Sequence, residues 1–364
     1  MKNKSLVIKI GSSGVTHEKG GADPLKIMRL LSDLIQLHQD YDLFLVSSGA
    51  INSGKHHLTQ KPENNLTYQQ AASAVGQPLL MNEYQQLALK LNLKIAQILV
   101  THEDFKKRER FLNIRNTLLY LCQENILPII NENDTVSTKE ITVGDNDQLA
   151  VMIAQAVGAD ALIILSESDG LFDRDPKDPQ AKKIAHVDYN QDLSSISFGQ
   201  KTSAGRGGMS TKIQAIQKLT PLGLDVYLGS YQEEKPVLRL LHQKGGTWFK
   251  AHPKEKIKSR KAWIASVIKP GAVIMIDDGA KKALLKNGSL LPVGVKKISG
   301  HFKRGDVVLI KNQNKTVGMG ISEYDSKDAE KIKGQHSQDL HHYINVIHHD
   351  VLIHKDNLYL IKDS

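Results

Sequence analysis

At 364 residues and 40.4 kDa, the chain exceeds the size at which one hydrophobic core usually stops growing, so we expect one large domain and one smaller domain. Hydrophobic residues make up 40% of the chain and charged residues 24%, a globular composition that argues against disorder. No run reaches the roughly 18 apolar residues that a membrane span requires. The single cysteine, Cys122, excludes an internal disulfide. We therefore expect a cytoplasmic protein with Cys122 buried on a helix face.

The net charge of +9 is concentrated in the tail of the chain. Residues 259–364 carry 17 basic and 11 acidic side chains, whereas residues 1–258 carry 31 and 28. This distribution indicates either an anionic partner such as RNA or a lysine-rich solvated surface, and charge alone leaves both open.

The first two-thirds of the chain alternate short aliphatic runs with amphipathic helices, which is typical of an α/β fold with a mainly parallel sheet. The helix after the first run is well defined, because Asp23 can cap it, Pro24 fits its first position and apolar residues recur on one face. Six strands are predicted, at Leu6–Ile10, Leu43–Ser47, Lys94–Val100, Leu127–Ile130, Ala161–Leu165 and Leu224–Leu228.

The later part of the chain changes character. Residues 135–143 are rich in β-branched side chains and predict a β-hairpin. From about residue 230, polar and charge-dense segments predict a linker region, so we place the domain boundary between residues 258 and 259. Beyond it, a small β-rich module is predicted from strand-like runs at Ala272–Ile276, Val307–Ile310 and Val317–Ile321.

Two turns at predicted strand ends are candidates for phosphate binding. The chain has no GxxxxGK[ST] motif, so phosphate must be held in another way. Lys9 ends the first strand and leads into a Gly-Ser turn whose N–H groups can cradle phosphate, although this lysine can also reach solvent. Ser48 and Gly49 follow the second strand in the same manner, and a tight turn without a ligand is the alternative. Because ligands bind beyond the carboxyl ends of parallel strands, both turns point to one crevice.

Three further segments are candidates for the same crevice. Residues 131–134 and 144–147 form the densest polar clusters of the chain and suit an ammonium group, the orientation of lysines, or Mg²⁺. Residues 205–212 combine glycines with two hydroxyls and Lys212 ahead of a predicted helix at 212–219, which Ser210 or Thr211 can cap. The paired histidines do not predict a metal site, because adjacent residues point in different directions.

The segments VIKIGSS, VSSGAI, the stretch from RERFLNIRNT to INENDTVSTKEITVGDNDQLA, and GGMSTK, in this order, resemble the amino acid kinase family. The tail resembles the PUA module, a small β-rich domain often found in RNA-modifying proteins. The resemblance implies a three-layer, mainly parallel sheet sandwich at residues 1–258, which binds ATP and the acceptor, and a C-terminal β-rich PUA-like domain at 259–364. The combination of NEND, GDND and a PUA tail is that of members that phosphorylate the γ-carboxylate of L-glutamate, the first step of proline biosynthesis.

The resemblance also implies roles for residues at matching positions. Lys9 and Lys212 are expected to contact the transferring phosphate, and Asp147 to hold both lysines in place. Ser48, Gly49, Asp134 and Asn146 match the substrate-binding positions. The expected ATP-binding residues are Lys9, Gly11, Ser12, Ser166, Glu167, Arg206, Gly207, Gly208, Met209, Ser210, Thr211 and Lys212.

Three positions depart from the family pattern. Ser166 and Glu167 stand where Thr-Asp is common, and Arg206 stands where a threonine often precedes GGMSTK. These departures concern contacts to the base and ribose of ATP more than the chemistry.

The resemblance further implies Mg²⁺ bound with ATP, feedback inhibition by proline, a dimer or tetramer, and RNA binding through the PUA-like domain. Two alternatives stay open at this point. The chain can be a kinase for another small carboxylate such as aspartate or an acetylated amino acid, or an RNA-binding regulator that has lost kinase activity.

Overall fold

The computed structural model describes residues 4–59, 65–136, 145–193, 209–253, 264, 271–313, 315–344, 347 and 349–361. The chain divides into two compact units. The first comprises Met1–Asp104 and Leu112–Lys256, and the second comprises Phe105–Phe111 and Ile257–Ser364. The boundary between residues 258 and 259 stays a prediction.

The first unit is built on an eight-stranded sheet with the order β3-β4-β2-β1-β5-β9-β10-β8. The six strands from β3 to β9 in this order are parallel, whereas β10 runs antiparallel to β9. A small separate sheet pairs β6 with β7. The strands are β1 (Lys4–Ile10), β2 (Tyr41–Ser47), β3 (Lys94–Val100), β4 (Ile126–Glu132), β5 (Ala161–Ser166), β6 (Leu171–Phe172), β7 (Lys183–Ile184), β8 (His186–Val187), β9 (Asp225–Ser230) and β10 (Thr247–Phe249).

Helices cover both faces of this sheet and give the predicted three layers. The helices are α1 (Pro24–Leu37), α2 (Ala50–Gly54), α3 (Leu66–Lys90), α4 (Arg108–Gln123), α5 (Asp145–Val157), α6 (Met209–Ile216) and α7 (Pro236–Leu241). Helices α1, α3 and α7 share one core with the side chains of one sheet face. Helix α5 packs against β1, β2, β4 and β5, and α6 packs against α5. Within the described ranges, no helix is both long and apolar enough to cross a membrane.

The predicted start of α1 is confirmed. The Asp23 side chain accepts hydrogen bonds from the N–H groups of Leu25 and Lys26, and Pro24 takes the first helical position, where no N–H is needed. All six predicted strands are present with ends that differ by at most two residues. Cys122 is buried on α4, as expected.

Helices α2 and α3 touch through their backbones. A Cβ atom added to Gly54 would lie 1.9 Å from the carbonyl oxygen of Ala72, and one added to Gly76 would lie 1.9 Å from that of Ala50. Only glycine permits this approach at either position. The contact fixes α2, which begins at the end of the Ser48–Gly49 turn, against the long helix α3.

One prediction about the later segments needs correction, and another falls mostly outside the described residues. The chain between residues 230 and 249 is not a linker. Helix α7 begins at Pro236, and residues 247–249 form β10, which joins the main sheet. The turn-forming residues there connect regular elements. In the hairpin prediction, Thr135 and Val136 lie in a turn, and residues 137–143 lie outside the described residues.

The second unit contains a five-stranded sheet with the order β12-β11-β13-β14-β15, in which only the β11–β13 pair is parallel. Its own hydrophobic core includes Ile274, Ile310 and Leu352. Asp277 and Asp325 cap two α-helices among the described residues of this unit. The β-rich module is therefore confirmed. Its elements are β11 (Val273–Ile276), α8 (Asp278–Leu285), β12 (Val295–Ser299), β13 (Val307–Asn312), β14 (Lys315–Ile321), α9 (Ser326–Ile332) and β15 (Leu358–Leu360).

Candidate active site

The candidate site lies at the carboxyl ends of the parallel strands. Strand β1 ends next to β2 on one side and β5 on the other, and β4 pairs with β2. The polar segments that follow these four strands therefore meet at one edge of the sheet, which is where ligands bind in open α/β sheets.

A buried carboxylate with two lysine partners forms the charged centre of this edge. The Lys9 Nζ atom lies 2.7 Å from Asp147 Oδ1, and the Lys212 Nζ atom lies 3.4 Å from Asp147 Oδ2. Asp147 has no exposed surface and Lys9 only 5%. Lys9 points to the face of β1 that α5 covers, because its neighbours Ile8 and Ile10 point to the opposite core. Three residues from β1, α5 and α6 thus converge although more than 200 positions separate the two lysines.

The two ammonium groups keep Asp147 ionised. Burial alone would raise the pKa of Asp147, but the charges and hydrogen bonds of Lys9 and Lys212 outweigh burial and hold its pKa below 3.8. Two positive charges and one negative charge leave a net charge of +1 at the cluster. Such a cluster attracts an anion and holds both lysine side chains in fixed positions.

The turn after β1 presents backbone N–H groups beside this cluster. The N–H groups of Ser12 and Ser13 begin a short helical turn, so the turn itself offers them no acceptor. The Ser12 carbonyl accepts from the N–H groups of Val15 and Thr16 and from the Thr16 hydroxyl at 2.9 Å. In a trans peptide this fixes the Ser13 N–H in the opposite direction. A Cβ at Gly11 would lie 3.8 Å from Lys9 Nζ, so this turn and the lysine are neighbours.

The turn after β2 lies against the first turn. The Ser48 N–H donates to the Ile10 carbonyl at 3.1 Å. Gly49 has a left-handed backbone with φ of 116°, and a Cβ there would lie 2.8 Å from a Val15 methyl carbon. Glycine is required both by the backbone angle and by this close approach.

A side-chain amide joins the turn after β2 to the end of β4. The Asn146 Nδ2 group donates to Ser48 Oγ at 2.7 Å, to the Ser47 carbonyl at 3.3 Å and to Asn131 Oδ1 at 2.9 Å. Asn146 Oδ1 is buried without a hydrogen-bond partner. Half-buried Asp134 lies after the same strand as Asn131 and accepts from Ser73 Oγ at 2.9 Å. The predicted residues Ser48, Asn146 and the 131–134 segment therefore share one region.

Ser166 and Glu167 lie at the end of β5, next to β1. The Ser166 hydroxyl donates to the Ser168 carbonyl at 3.0 Å, and Glu167 is exposed. Their position beyond a central strand suits a nucleotide, and contacts with its base or ribose stay a prediction.

The segment that leads into α6 is described only in part. Arg206, Gly207 and Gly208 lie outside the described residues. Helix α6 begins at Met209 and ends at Ile216, so the predicted helix at 212–219 starts three residues too late. Ser210 and Thr211 therefore lie in the first turn, and the prediction that either one caps the helix is wrong, because a cap precedes the first helical residue.

Three site-supporting residues were missed by sequence reasoning. Ser73, Gln77 and Tyr84 of α3 hydrogen-bond to Asp134, Asn131 and Ser47, respectively. The signal for them was present, since they recur on one helix face with the apolar Leu80. Predicting their role would have required knowing which strand ends this face of α3 contacts.

The protein groups at this site suit an anionic nucleotide that brings its own Mg²⁺. Asp147 already has two cationic partners, and no group of three or more acidic, histidine or cysteine residues in the described ranges is arranged to hold a metal ion. The donor set of lysines and backbone N–H groups fits phosphate oxygens. Mg²⁺ bound to those phosphates is compatible with this arrangement.

A cavity of about 690 Å³ lies at the opposite end of the sheet. Its lining includes Lys4, Tyr41, Ala161 and Asp225, the first residues of β1, β2, β5 and β9. Because ligands of open α/β sheets bind at the other strand ends, its size alone does not make it the active site.

The parallel sheet, the paired lysines and the small-residue turns at strand ends define an amino acid kinase. A model of the amino acid kinase family matches residues 4–228, and a model of the PUA domain matches residues 272–344. The glutamate 5-kinase of Dictyoglomus thermophilum is 41% identical over 98% of each chain, and that of Pasteurella multocida is 39% identical over 99% of each. The chain belongs to the glutamate 5-kinase branch of this family.

Similarity to solved structures supports the fold of the first unit and nothing further. A substrate complex of isopentenyl phosphate kinase covers 68% of this chain and 100% of its own, with a TM-score of 0.51 and 14% sequence identity. The fold of the first unit is therefore shared with a kinase of distant sequence.

Proposed function

We propose that this chain transfers the γ-phosphoryl group of ATP to the γ-carboxylate of L-glutamate and forms γ-glutamyl phosphate, the first step of proline biosynthesis. The observation that carries the proposal is the buried Lys9–Asp147–Lys212 cluster at the carboxyl ends of the parallel strands. The similarity to glutamate 5-kinases over nearly the whole chain supports glutamate over other carboxylates.

The chemistry requires charge neutralisation more than proton transfer. The γ-carboxylate has an unperturbed pKa of about 4.3 and is already a nucleophile at neutral pH. The enzyme must bring this anion to the anionic γ-phosphate. Lys9 and Lys212 neutralise the transferring group, Asp147 orients both lysines, and the N–H groups after β1 hold phosphate oxygens in line with the carboxylate. Mg²⁺ bound with ATP supplies further positive charge.

Glutamate is proposed to bind between the turn after β2 and the end of β4. The orphan oxygen of Asn146 and the carboxylate of Asp134 can accept hydrogen bonds from its ammonium group. Ser48 and the backbone of Gly49 line the same region. ATP is proposed to contact Gly11, Ser12, Ser166, Glu167 and the 206–212 segment.

The decisive assay traps the acyl phosphate with hydroxylamine in the presence of ATP and Mg²⁺. We expect hydroxamate with L-glutamate and little with aspartate or acetylglutamate. A signal selective for another acid would replace glutamate as the substrate, and no signal from folded protein with any carboxylate would overturn the kinase assignment.

Substitution of the lysines tests their roles. Lys9→Met and Lys212→Met are each expected to lower kcat by roughly 100-fold or more, with a smaller change in KM for glutamate. Lys90→Met at the exposed end of α3 is the matched control and should leave turnover unchanged. Normal turnover in either site variant would remove that lysine from the mechanism.

The second unit is proposed to bind RNA. The PUA match and the exposed basic residues Lys296, Lys297, Lys303 and Arg304 support this. Retention of an RNA probe that weakens steeply with salt is the expected result. Binding that is absent at low salt would leave this unit with a structural or regulatory role.

Feedback inhibition by proline and assembly into a dimer or tetramer are proposed from the family resemblance. Proline should raise the apparent KM for glutamate if it occupies the glutamate subsite. Light scattering of the purified chain tests the oligomeric state.

A further inference from the structure

One face of helix α3 carries an unusual set of side chains. Ser73, Gln77, Leu80 and Tyr84 follow the spacing i, i+4, i+7 and i+11, which places them in one line along the helix. All four are buried. Three of them are polar, and burying a polar group is unfavourable unless it is hydrogen-bonded. Each of the three makes its hydrogen bond to a group at the substrate end of the sheet.

Gln77 holds the nitrogen end of a buried amide, that of Asn131. The Glu132 N–H donates to Asn131 Oδ1 at 2.9 Å, so the Nδ2 group of Asn131 must face the other way. It donates to Gln77 Oε1 at 2.8 Å. Loss of this acceptor would leave the buried Nδ2 group unpaired and would hold the Asn131 side chain less firmly in place.

The orientation of Asn131 passes to Asn146. Asn131 Oδ1 accepts from Asn146 Nδ2 at 2.9 Å, and the same Nδ2 group donates to the Ser47 carbonyl. Both acceptors require the nitrogen of Asn146 on this side. The oxygen of Asn146 is therefore left buried without a partner, as an acceptor for a ligand.

Ser73 and Tyr84 act on either side of this amide pair. The Ser73 hydroxyl donates to Asp134 Oδ2 at 2.9 Å and fixes one oxygen of that carboxylate. The Ser47 hydroxyl donates to the Ser48 carbonyl at 3.0 Å, so it accepts from Tyr84 at 2.9 Å. Fixing the Ser48 carbonyl also fixes the Gly49 N–H, which shares its peptide plane.

We propose that Ser73, Gln77 and Tyr84 are positioning residues of the acceptor subsite, which hold Asp134, the Asn131–Asn146 amide pair and the Ser48–Gly49 turn for the ammonium group of an amino acid. The inference rests on the proposed function in taking the acceptor to be an amino acid. None of these side chains joins the lysine cluster, so their effect should fall on the acceptor and not on ATP.

Gln77→Met tests the inference, because methionine keeps the length of the side chain and removes the acceptor. We expect KM for glutamate to rise about 10-fold, as for loss of one orienting hydrogen bond, with KM for ATP within about twofold. Gln85→Met makes the same exchange on the exposed side of α3 and should change neither KM. Equal rises in both KM values, or the same effect in the control, would overturn the inference.

Two further variants separate positioning from a general loss of structure. Ser73→Ala is a smaller change that should give the same selective rise in KM for glutamate, and it decides the matter if Gln77→Met does not fold. In a double variant with Asn131→Ala, Gln77→Met should add nothing to the effect of Asn131→Ala alone. An additive effect would show that Gln77 does not act through Asn131.

The outcome is distinguishable from failure of the proposed function. If the wild-type enzyme phosphorylates a different amino acid, the glutamate assignment fails, and the same KM comparison with that acceptor still decides the inference. The rise in melting temperature on adding the acceptor gives a readout without turnover, and Gln77→Met should shrink it whereas Gln85→Met should not.

Discussion

The carboxylate of Asp147 is the counterion of both Lys9 and Lys212. Replacing it with a neutral amide leaves both ammonium groups without that counterion. Asp147→Asn keeps the size of the side chain but leaves two largely buried ammonium groups together. We expect the free energy of unfolding to fall by about 3–5 kcal/mol, as for breaking a buried ion pair. Acyl phosphate formation should fall with it.

Urea titration together with the hydroxamate assay checks this prediction. Asp225→Asn is the control, since Asp225 is a half-buried carboxylate of the first unit at the start of β9, away from the lysines, where it accepts from the Trp248 side chain and the Ala251 N–H. Full activity in Asp147→Asn would show that the lysines do not need their shared partner.

The contribution of Asp33 to the free energy of unfolding changes with pH in the opposite direction to that of Asp147. Burial raises the pKa of Asp33 above 3.8. The hydrogen bonds from the N–H groups of Val237 and Leu238, at the start of α7, lower this pKa but are outweighed by burial. A raised pKa in the folded state contributes stability below 3.8 that is lost as pH rises through the raised value. Asp147, whose pKa is lowered, contributes stability above 3.8 that is lost only in stronger acid.

The variant Asp33→Asn should therefore gain stability relative to the wild type as pH rises from about 3.8 toward 7. Urea titrations of both proteins at several pH values measure this difference. Parallel stability curves would show that Asp33 has an ordinary pKa in the folded protein.

Residues to which the family resemblance assigned roles lie together, whether charged or neutral. Lys9, Asp147 and Lys212 form one cluster, and Ser48 contacts Asn146. Gln77 was not predicted, because its partner Asn131 is 54 positions away and neither residue is unusual in composition. Hydrogen bonds between neutral side chains depend on which elements pack together, and a single sequence does not specify that directly.

At the scale of elements, the crossing of α2 and α3 is the most constrained contact. Gly54→Ala and Gly76→Ala would each place a methyl group against backbone, where no side chain can move aside. We expect each to lower the free energy of unfolding by about 3 kcal/mol or more. Because α2 follows the Ser48–Gly49 turn, KM for the acceptor should also rise.

Gly271→Ala is the matched control, since a Cβ there would meet no atom within 4 Å. Thermal melting of the three variants checks the prediction. A melting temperature unchanged in Gly54→Ala would mean that the two helices can separate without loss of stability.

The strands were predicted more accurately than the segments that connect them. Strand bounds follow from aliphatic runs that must be buried in a covered parallel sheet. Helix α7 and strand β10 were predicted as a linker, because Pro236 and Gly246 are typical turn residues. The pairing of β10 with β9 could not be seen from the sequence alone. Short elements carry too few residues for their periodicity to show.

At the scale of the whole molecule, the two units have separate cores, and every described residue of the candidate active site belongs to the first. A chain that ends after Lys256 is therefore expected to retain glutamate-dependent acyl phosphate formation and to lose binding of an RNA probe. The hydroxamate assay and a gel-shift titration measure the two properties on the same preparation. Loss of acyl phosphate formation from a folded, shortened chain would show that residues 257–364 are needed for catalysis.

The single line formed by Ser73, Gln77 and Tyr84 limits how α3 can change in length. Inserting or deleting one residue turns the following part of an α-helix by about 100°. After an insertion between Ser73 and Tyr84, the two side chains would no longer lie on the same face of α3. If one kept its hydrogen bond, the other would point away from its strand end. We expect related chains to vary in length before residue 65 and after residue 90, and to keep the eleven-residue spacing from Ser73 to Tyr84 without gaps.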